Sequence, residues 1–220
     1  MSHRYPIMHV WTTSAPPFYK NGFVVGCERT RQAVVIDPGD DVDEQLAIVR
    51  RESVTVTMIL LTHAHLDHVT GVGAAKAALE VDVWLHRDDL FLYERAAEQG
   101  RMFGLHVEPQ PKPDRFYAEG QTLGFGDYVI EVKHTPGHCP GGVCLAIGRA
   151  GEIVRELFVG DTLFAGSIGR TDLPGGDLGT LLAAIRSELF VYPDATVVHS
   201  GHGPDTTIGE ERRSNPWLNR

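Results

Sequence analysis

The sequence has few cysteines, no long apolar run and no excess of basic residues, and each shortage excludes a class of protein. Its three cysteines, at positions 27, 139 and 144, are odd in number and too few for a disulfide framework, which favours a reducing compartment. No apolar run approaches the roughly 20 residues of a membrane helix, and the N-terminus lacks the long apolar stretch of a signal peptide. We therefore expect a cytoplasmic protein without a membrane partner.

The charge balance argues against a nucleic-acid partner. The chain has 29 acidic and 20 basic residues and a net charge of −9, whereas phosphate binding requires a concentrated basic surface. At 220 residues, of which 42% are hydrophobic, the chain is long enough for one sizeable core. No linker or low-complexity segment divides it, so we predict a single domain over residues 1–220. The sequence makes no prediction about the oligomeric state.

Short apolar stretches alternate with helical patterns along the chain. We predict strands at 22–26, 33–37, 56–61, 81–85, 129–132, 143–147, 157–159 and 196–198. We predict helices at 42–52, from about 69 onward, at 87–99 and at 178–189. The first two strands are expected to form a hairpin closed by Pro38-Gly39, and the prolines at 109, 111 and 113 indicate a loop. Strands in both halves with helices outside them indicate two packed sheets flanked by helices.

One stretch, THAHLDH at residues 62–68, places polar side chains directly after a buried strand. It brings together His63, His65, Asp67 and His68, a density that a fold does not require. Imidazole nitrogens and carboxylate oxygens are ligands of Zn²⁺ and similar divalent ions, and a loop leaving a rigid strand can direct them inward together. Four candidate ligands in one loop favour a metal site over a set of exposed or hydrogen-bonded histidines.

Three later segments have the same context of a strand followed by a turn. HTPGH ends at His138, GDTLF contains Asp161, and SGHGP contains His202. The Pro-Gly pair supplies a turn that would direct His138 back, and the glycines beside His202 would let the backbone approach the site closely. An isolated aspartate at a strand end is more often a turn or capping residue, but beside the other motifs Asp161 is predicted to be a ligand.

With these motifs the chain resembles the metallo-β-lactamase superfamily, over nearly its whole length from Asn21 to the ERRSNPWL segment. The resemblance implies an α/β fold, the αβ/βα sandwich of two mixed sheets flanked by helices, with a metal site along one edge. It implies two divalent metal ions, with zinc expected and iron or manganese as alternatives. The first ion would be held by His63, His65 and His138, the second by Asp67, His68 and His202, and Asp161 would bridge both.

Within that superfamily, GDTLFAGSIGRTDLPGGD and GHGPDTTIGEERRSNPWL are similar to short glyoxalase II-like hydrolases. This resemblance implies hydrolysis of the thioester in an acylated glutathione, a small-molecule substrate. Longer glyoxalase II enzymes carry a C-terminal helical domain for glutathione binding, and we expect none here. True β-lactamases have Cys or Ser at the bridging position, so Asp161 makes antibiotic hydrolysis a poor fit.

Two alternatives share the fold. Persulfide dioxygenases resemble this chain in the GRTD segment and most of the ligand set, but they use one iron. Their last histidine is usually followed by Asp-Tyr, whereas Gly203 and Pro204 follow His202, which favours the hydrolase. A lactonase of the same fold is the other alternative.

The ligand set predicts the mechanism of such a hydrolase. Two cations that share a solvent molecule lower its pKa toward neutrality and produce a hydroxide nucleophile, so no serine or cysteine nucleophile is needed. A metal would also polarise the thioester carbonyl, and the departing thiolate needs little acid help. We predict two catalytic carboxylates, Asp67 to orient the hydroxide and Asp161 to hold both cations.

The remaining polar candidates are given structural roles. His86, His134 and His199 lie beside strand ends and are predicted to be structural histidines. Arg170 and Asp172 of the GRTD segment are predicted to pair with each other and hold their loop near the metals, rather than to bind a substrate carboxylate.

Overall fold

The computed structural model describes residues 7–118 and 120–219. The strands of the first sheet are β1 (Met8–Ala15), β2 (Lys20–Cys27), β3 (Gln32–Ile36), β4 (Thr55–Leu60), β5 (Val83–Leu85) and β6 (Arg115–Phe116), adjacent in that order. β1, β2 and β3 pair antiparallel, and β4, β5 and β6 then add in parallel. The parallel pairs bring the carboxyl ends of β3, β4 and β5 to one edge of the sheet.

The second half of the chain forms another six-stranded mixed sheet. Its strands in chain order are β7 (Thr122–Phe125), β8 (Tyr128–His134), β9 (Val143–Arg149), β10 (Glu156–Gly160), β13 (Val197–Ser200) and β14 (Thr206–Thr207). β7 to β10 pair antiparallel in sequence, and β13 joins β10 in parallel. A separate two-stranded ribbon, β11 (Leu163–Phe164) and β12 (Ser167–Ile168), follows β10.

Helices cover the outer faces of both sheets. They are α1 (Val42–Glu52), α2 (Leu66–Val69), α3 (Val72–Leu79), α4 (Leu90–Tyr93), α5 (Ala96–Met102), α6 (Leu178–Ala184) and α7 (Ile208–Ser214). A 3-10 turn at Arg87–Asp89 precedes α4, and a π turn at Ile185–Leu189 extends α6. No helix among the described residues is long and apolar enough to span a bilayer.

The apolar residues of β2 show that both faces of the first sheet are buried. Val25 packs between the two sheets with Ile130 and Phe158, whereas Val24 packs against the outer helical layer with Ile48 of α1. A third cluster of buried apolar residues lies on the outer face of the second sheet, and Leu181 of α6 belongs to it. Strands covered on both faces require continuous apolar runs rather than alternation, which is the pattern seen in the sequence.

The expected αβ/βα sandwich of two mixed sheets flanked by helices is confirmed. The single-domain organisation stays a prediction. The hairpin of β2 and β3 closes at the turn where the Arg31 N–H donates to Cys27 O, so the prediction of closure at Pro38-Gly39 was wrong. Pro38 and Gly39 instead lead from β3 into α1.

Candidate metal centre

The predicted ligands all follow the carboxyl ends of strands that meet at one edge of the sandwich. The segment from His63 to His68 follows β4, with His63 and His65 before α2 and Asp67 and His68 within it, so it comes from the first sheet. His138 lies between β8 and β9, Asp161 directly follows β10, and His202 follows β13, so these come from the second sheet. The centre is therefore assembled from both sheets.

Three histidines form the first cluster. Ligand atoms of His63, His65 and His138 lie within 4.8 Å of one another, and all three side chains are buried. His65 Nδ1 lies 2.7 Å from His138 Nε2. Three imidazoles that converge in this way are a common set of protein ligands for a catalytic divalent ion.

Asp67, His68 and His202 form the second cluster, again with ligand atoms within 4.8 Å of one another. His202 Nε2 lies 3.1 Å from Asp67 Oδ2, and His68 Nε2 lies 3.7 Å from the same oxygen. His202 is the most exposed of the three, with 34% of its side-chain surface accessible. The second cluster therefore faces the solvent side of the centre.

Asp161 lies between the two clusters. Its Oδ1 is 3.4 Å from His68 Nε2, while its Oδ2 is 3.7 Å from His138 Nε2 and 3.6 Å from His202 Nε2. One carboxylate thus approaches donors of both clusters, which is the position expected of a bridging ligand.

The donor set fits divalent metal ions. His63 Nε2, His68 Nε2 and Asp161 Oδ1 are buried and make no hydrogen bond within the part of the chain that the structure describes. Buried polar atoms are nearly always satisfied, so three converging donors of this kind call for a ligand. Nitrogen and carboxylate oxygen are the atoms that zinc and iron accept.

A carboxylate that the sequence analysis missed, Asp37, orients two of these donors. It accepts a hydrogen bond from the Thr62 hydroxyl at 2.6 Å. The Thr62 oxygen can then accept a hydrogen bond from His63 Nδ1 at 3.1 Å. The same carboxylate accepts from His68 Nδ1 at 2.9 Å. Both rings therefore present Nε2 to the centre, as metal-binding histidines do when a carboxylate holds their other nitrogen. The signal in the sequence was an aspartate at the end of β3, the same context as Asp161.

A backbone carbonyl orients the third ring. His138 Nδ1 donates to Arg170 O at 2.8 Å, which leaves Nε2 directed at His65 and Asp161. The Arg170 guanidinium makes two hydrogen bonds to the Asp172 carboxylate, both of 2.7 Å, in agreement with the predicted pair. The GRTD segment therefore reaches the centre through its main chain.

The protonation of the centre reflects its charges. Burial and neighbouring imidazoles lower the pKa of His63 well below its usual value, and burial together with His138 lowers the pKa of His65 to about 4. Burial also opposes a charge on His68, but Asp67, Asp37 and Asp161 outweigh it and raise its pKa to about 10. The second cluster thus attracts positive charge at His68, while His63 and His65 of the first offer neutral imidazoles.

Glycines permit the close packing around Asp161, and of the two beside His202 the expected close approach holds for Gly201 but not for Gly203, where a Cβ would have nothing within 4 Å. A Cβ at Gly201 would lie 2.2 Å from Asp161 Oδ1, and a Cβ at Gly169 would lie 1.8 Å from Asp161 O. Gly160 has a φ of +50°, and a Cβ there would meet the Thr62 hydroxyl at 2.4 Å. Side chains at these positions would displace the carboxylate or its neighbours.

A family model, that of the metallo-beta-lactamase superfamily, matches residues 15–202. The chain belongs to the metallo-β-lactamase superfamily. A member from Haemophilus influenzae, the hydroxyacylglutathione hydrolase GloC, is 39% identical over 191 residues, which are 86% of this chain and 88% of the relative. The probable metallo-hydrolase YqgX from Bacillus subtilis is 35% identical over 189 residues, again 86% of this chain and 88% of the relative.

Solved structures of the superfamily match the chain along most of its length. The BLEG-1 B3 metallo-beta-lactamase has a TM-score of 0.88 and 37% identity, covering 96% of this chain and 100% of its own. TTHA1623 in a di-iron-bound form has a TM-score of 0.84 and 41% identity, covering 94% of this chain and 100% of its own. The fold and the superfamily are thus shared, but the names of these relatives state different activities and, in one case, a di-iron centre.

The other histidines considered have structural surroundings within this superfamily fold. His199 Nε2 lies 2.8 Å from Glu156, and His134 Nε2 donates to Pro140 O at 2.9 Å. His86, Asp88 and His134 have ligand atoms close together, but the two rings stack with an interplanar angle of 11°. Rings stacked face to face, with centroids 4.2 Å apart, have their in-plane lone pairs in two separate parallel planes, so this cluster fits a metal poorly.

Proposed function

We propose that the protein is a hydrolase of small-molecule thioesters of the hydroxyacylglutathione type that uses two divalent metal ions, with zinc as the expected metal. The observation that carries the proposal is the convergence of two donor clusters on Asp161, where three buried donor atoms make no hydrogen bond to any described residue. The name of the relative GloC, a hydroxyacylglutathione hydrolase, supports the choice of substrate class.

The two clusters would hold one ion each. His63, His65 and His138 would bind the first, Asp67, His68 and His202 the second, and Asp161 would contact both. When bound, such ions supply Lewis-acid chemistry that lowers the pKa of water and polarises a carbonyl. The neutral rings of His63 and His65 would offer lone pairs to the first cation, and the carboxylates of Asp67 and Asp161 would offset the charge of the second.

The chain's own residues then position the reactants. Asp67 Oδ2 lies beside His202 at the exposed side of the centre, where it can orient a water and accept its proton. Cys139 cannot replace this water as nucleophile, because burial and Asp89 raise the pKa of its thiol well above the usual value. Burial of the first cluster directs substrate to the side of Asp67 and His202.

A cytoplasmic location fits the proposal, since Cys27, Cys139 and Cys144 are all free and buried. The net charge of −9 favours neither nucleic acid nor an anionic membrane surface as a partner.

A panel of substrates tests the function. It contains S-D-lactoylglutathione, a coenzyme A thioester, a simple alkyl thioester, an acyl-homoserine lactone and a chromogenic cephalosporin. We expect hydrolysis of S-D-lactoylglutathione to be detectable and thioesters to be turned over faster than the lactone or the β-lactam. The β-lactam is included because the structural relative BLEG-1 is named a β-lactamase. Efficient lactone or β-lactam opening without turnover of any thioester would overturn the proposal.

A second assay separates the hydrolase from the dioxygenase alternative. Metal content per chain is measured together with oxygen consumption in the presence of glutathione persulfide. The proposal expects two metal ions per chain and no oxygen uptake, whereas one iron with rapid uptake would contradict it. In the substrate panel described above, the Asp161→Asn variant, purified in parallel, controls for contaminating thioesterases.

A further inference from the structure

Asp89 is a buried carboxylate whose hydrogen bonds, among the residues that the structure describes, go to groups beside the first cluster and not to its histidine rings. It ends the 3-10 turn at Arg87–Asp89 and is fully buried, with 0% of its surface accessible. Its neighbour Asp88 is 59% exposed at the side chain. The sequence HRDD does not distinguish the two residues, so the role of Asp89 becomes visible only in the fold.

The Asp89 carboxylate holds the backbone of two separate loops. Its Oδ2 accepts from the Ala64 N–H at 3.0 Å, and its Oδ1 accepts from the Gly141 N–H at 2.6 Å. The Cys139 thiol also donates to Oδ2, with Sγ at 3.2 Å. Ala64 separates His63 from His65, and Cys139 directly follows His138. Each histidine of the first cluster is thus adjacent in the chain to a group that Asp89 binds.

The approach of the second loop to Asp89 depends on glycine. A Cβ at Gly141 would lie 2.6 Å from Asp89 N and 2.8 Å from Asp89 Oδ1. Any side chain at 141 would therefore push the loop that carries His138 away from Asp89. The two loops belong to different sheets, because one follows β4 and the other follows β8. Their relative position is not set by strand pairing.

We propose that Asp89 is a positioning residue for the first metal site, which fixes the loop of His63 and His65 against the loop of His138. Asp89 holds these loops at the separation where His65 Nδ1 and His138 Nε2 lie 2.7 Å apart. Among the described residues, the hydrogen bonds of Asp89 go to Ala64, Cys139 and Gly141, and none goes to the second cluster, whose residues lie on α2 and after β13. The inference rests on the proposed two-metal centre. It adds that Asp89 holds the loops of the first metal site but not those of the second.

Cobalt titration of the metal-free full-length protein tests the role of Asp89. Asp89→Asn keeps the size of the side chain but replaces one acceptor oxygen by an amide donor, which faces N–H or S–H groups. We expect one of two Co²⁺ equivalents to bind at least about 10-fold more weakly, the scale for losing a residue that orients metal ligands. The visible absorption of that Co²⁺ should change, while the other equivalent binds as in wild type. Asp88→Asn is the matched control and should bind both equivalents normally.

Two results overturn the proposal. One is an Asp89→Asn variant that binds both Co²⁺ equivalents with wild-type affinity and spectrum, and the other is an equal loss of both. If circular dichroism shows that Asp89→Asn does not fold, Gly141→Ala decides, because it displaces the His138 loop and leaves the carboxylate intact. A selective loss of one equivalent in Gly141→Ala supports the role, and normal binding of both contradicts it. A wild-type protein that binds no metal would instead refute the metal centre itself.

Discussion

At the scale of single residues, the proposal of one two-metal centre depends most on Asp161. It is the residue whose carboxylate approaches both clusters, with one oxygen toward His68 and the other toward His138 and His202. Burial raises the pKa of this carboxyl, but the surrounding imidazoles, His68 above all, outweigh burial and hold the pKa below its usual range. Its negative charge is therefore retained at neutral pH, where it can offset two dications.

Replacing Asp161 by asparagine should damage turnover more than folding. Asn has nearly the same shape but no charge, so we expect metal content to fall and kcat to drop by about 10²-fold or more, the scale for losing a key electrostatic element. The apolar residues before it in β10, such as Leu157 and Val159, remain to hold the core. The measurement combines metal analysis, circular dichroism and steady-state kinetics. Two tightly bound metals with near wild-type turnover would show that Asp161 does not bridge.

The sequence predicts the residues that donate to the centre better than those that support them. His138, Asp161 and His202 could be identified because each follows an apolar strand and carries a donor type that metals accept. Asp89 could not, because a carboxylate that binds backbone N–H groups looks in the sequence like any turn residue. Asp37 follows a strand as Asp161 does, but nothing local shows that it orients histidine rings. Their partners, such as Gly141 for Asp89, are 52 positions away in the chain.

At the scale of elements, sequence patterns mispredicted the secondary structure where tertiary contacts override the local conformational preference. The predicted helix at 87–99 begins instead as a 3-10 turn that ends at buried Asp89, whose carboxylate binds two distant loops, and it is divided into α4 and α5 at Glu94 and Arg95. β1 was not predicted as a strand, since its half-exposed and polar residues give no apolar run, and it forms by pairing with β2 along its whole length. The buried strands with continuous apolar runs were predicted within a few residues.

The parallel pair of β10 and β13, which carries Asp161 and His202 at its end, is joined by His199. Its Nε2 lies 2.8 Å from Glu156 on β10 and its Nδ1 lies 3.1 Å from Asp205. Its ring stacks on Phe158 at 4.6 Å. Burial lowers the pKa of His199, but the two carboxylates outweigh burial and raise it to about 9.

His199 should therefore make stability depend on pH. A histidine whose folded pKa is about 9 against 6.5 in the unfolded chain stabilises the fold fully below pH 6.5, and this contribution is lost as the pH rises through 9. The loss amounts to roughly 2–3 kcal/mol. Urea unfolding at pH 6 and pH 9.5, at fixed metal concentration, should show a smaller pH effect for His199→Gln than for wild type. His106→Gln, at an exposed position, is the control, and equal pH effects in all three proteins would contradict the assignment.

At the scale of the whole molecule, the centre connects the two sheets. His63, His65, Asp67 and His68 come from the first sheet, whereas His138, Asp161 and His202 come from the second. Metal binding to such a centre is coupled to folding, because the donors converge only when the sheets are packed. The sequence indicated two sheets, but the edges that meet at the site followed from the family resemblance, since strand patterns do not fix how sheets pack.

Removal of the metals should lower thermal stability without unfolding the protein at room temperature. An ion present at about 1,000 times its dissociation constant contributes about 4 kcal/mol, and for a chain of this size 1 kcal/mol corresponds to about 2–4 °C. We therefore expect the Tm to fall by roughly 10 °C or more on chelation and to recover when metal is added back. An unchanged Tm in a protein shown by metal analysis to have lost its ions would contradict the coupling of metal binding to folding.

Stepwise reconstitution of the metal-free protein tests the central claim most directly. Zinc is added in fractions of an equivalent, and turnover of the best thioester from the panel is measured after each addition. Because Asp161 approaches donors of both clusters, we expect no turnover without metal, a strong rise up to two equivalents and a plateau beyond them. A plateau at one equivalent, or thioester hydrolysis by the metal-free chain, would contradict it.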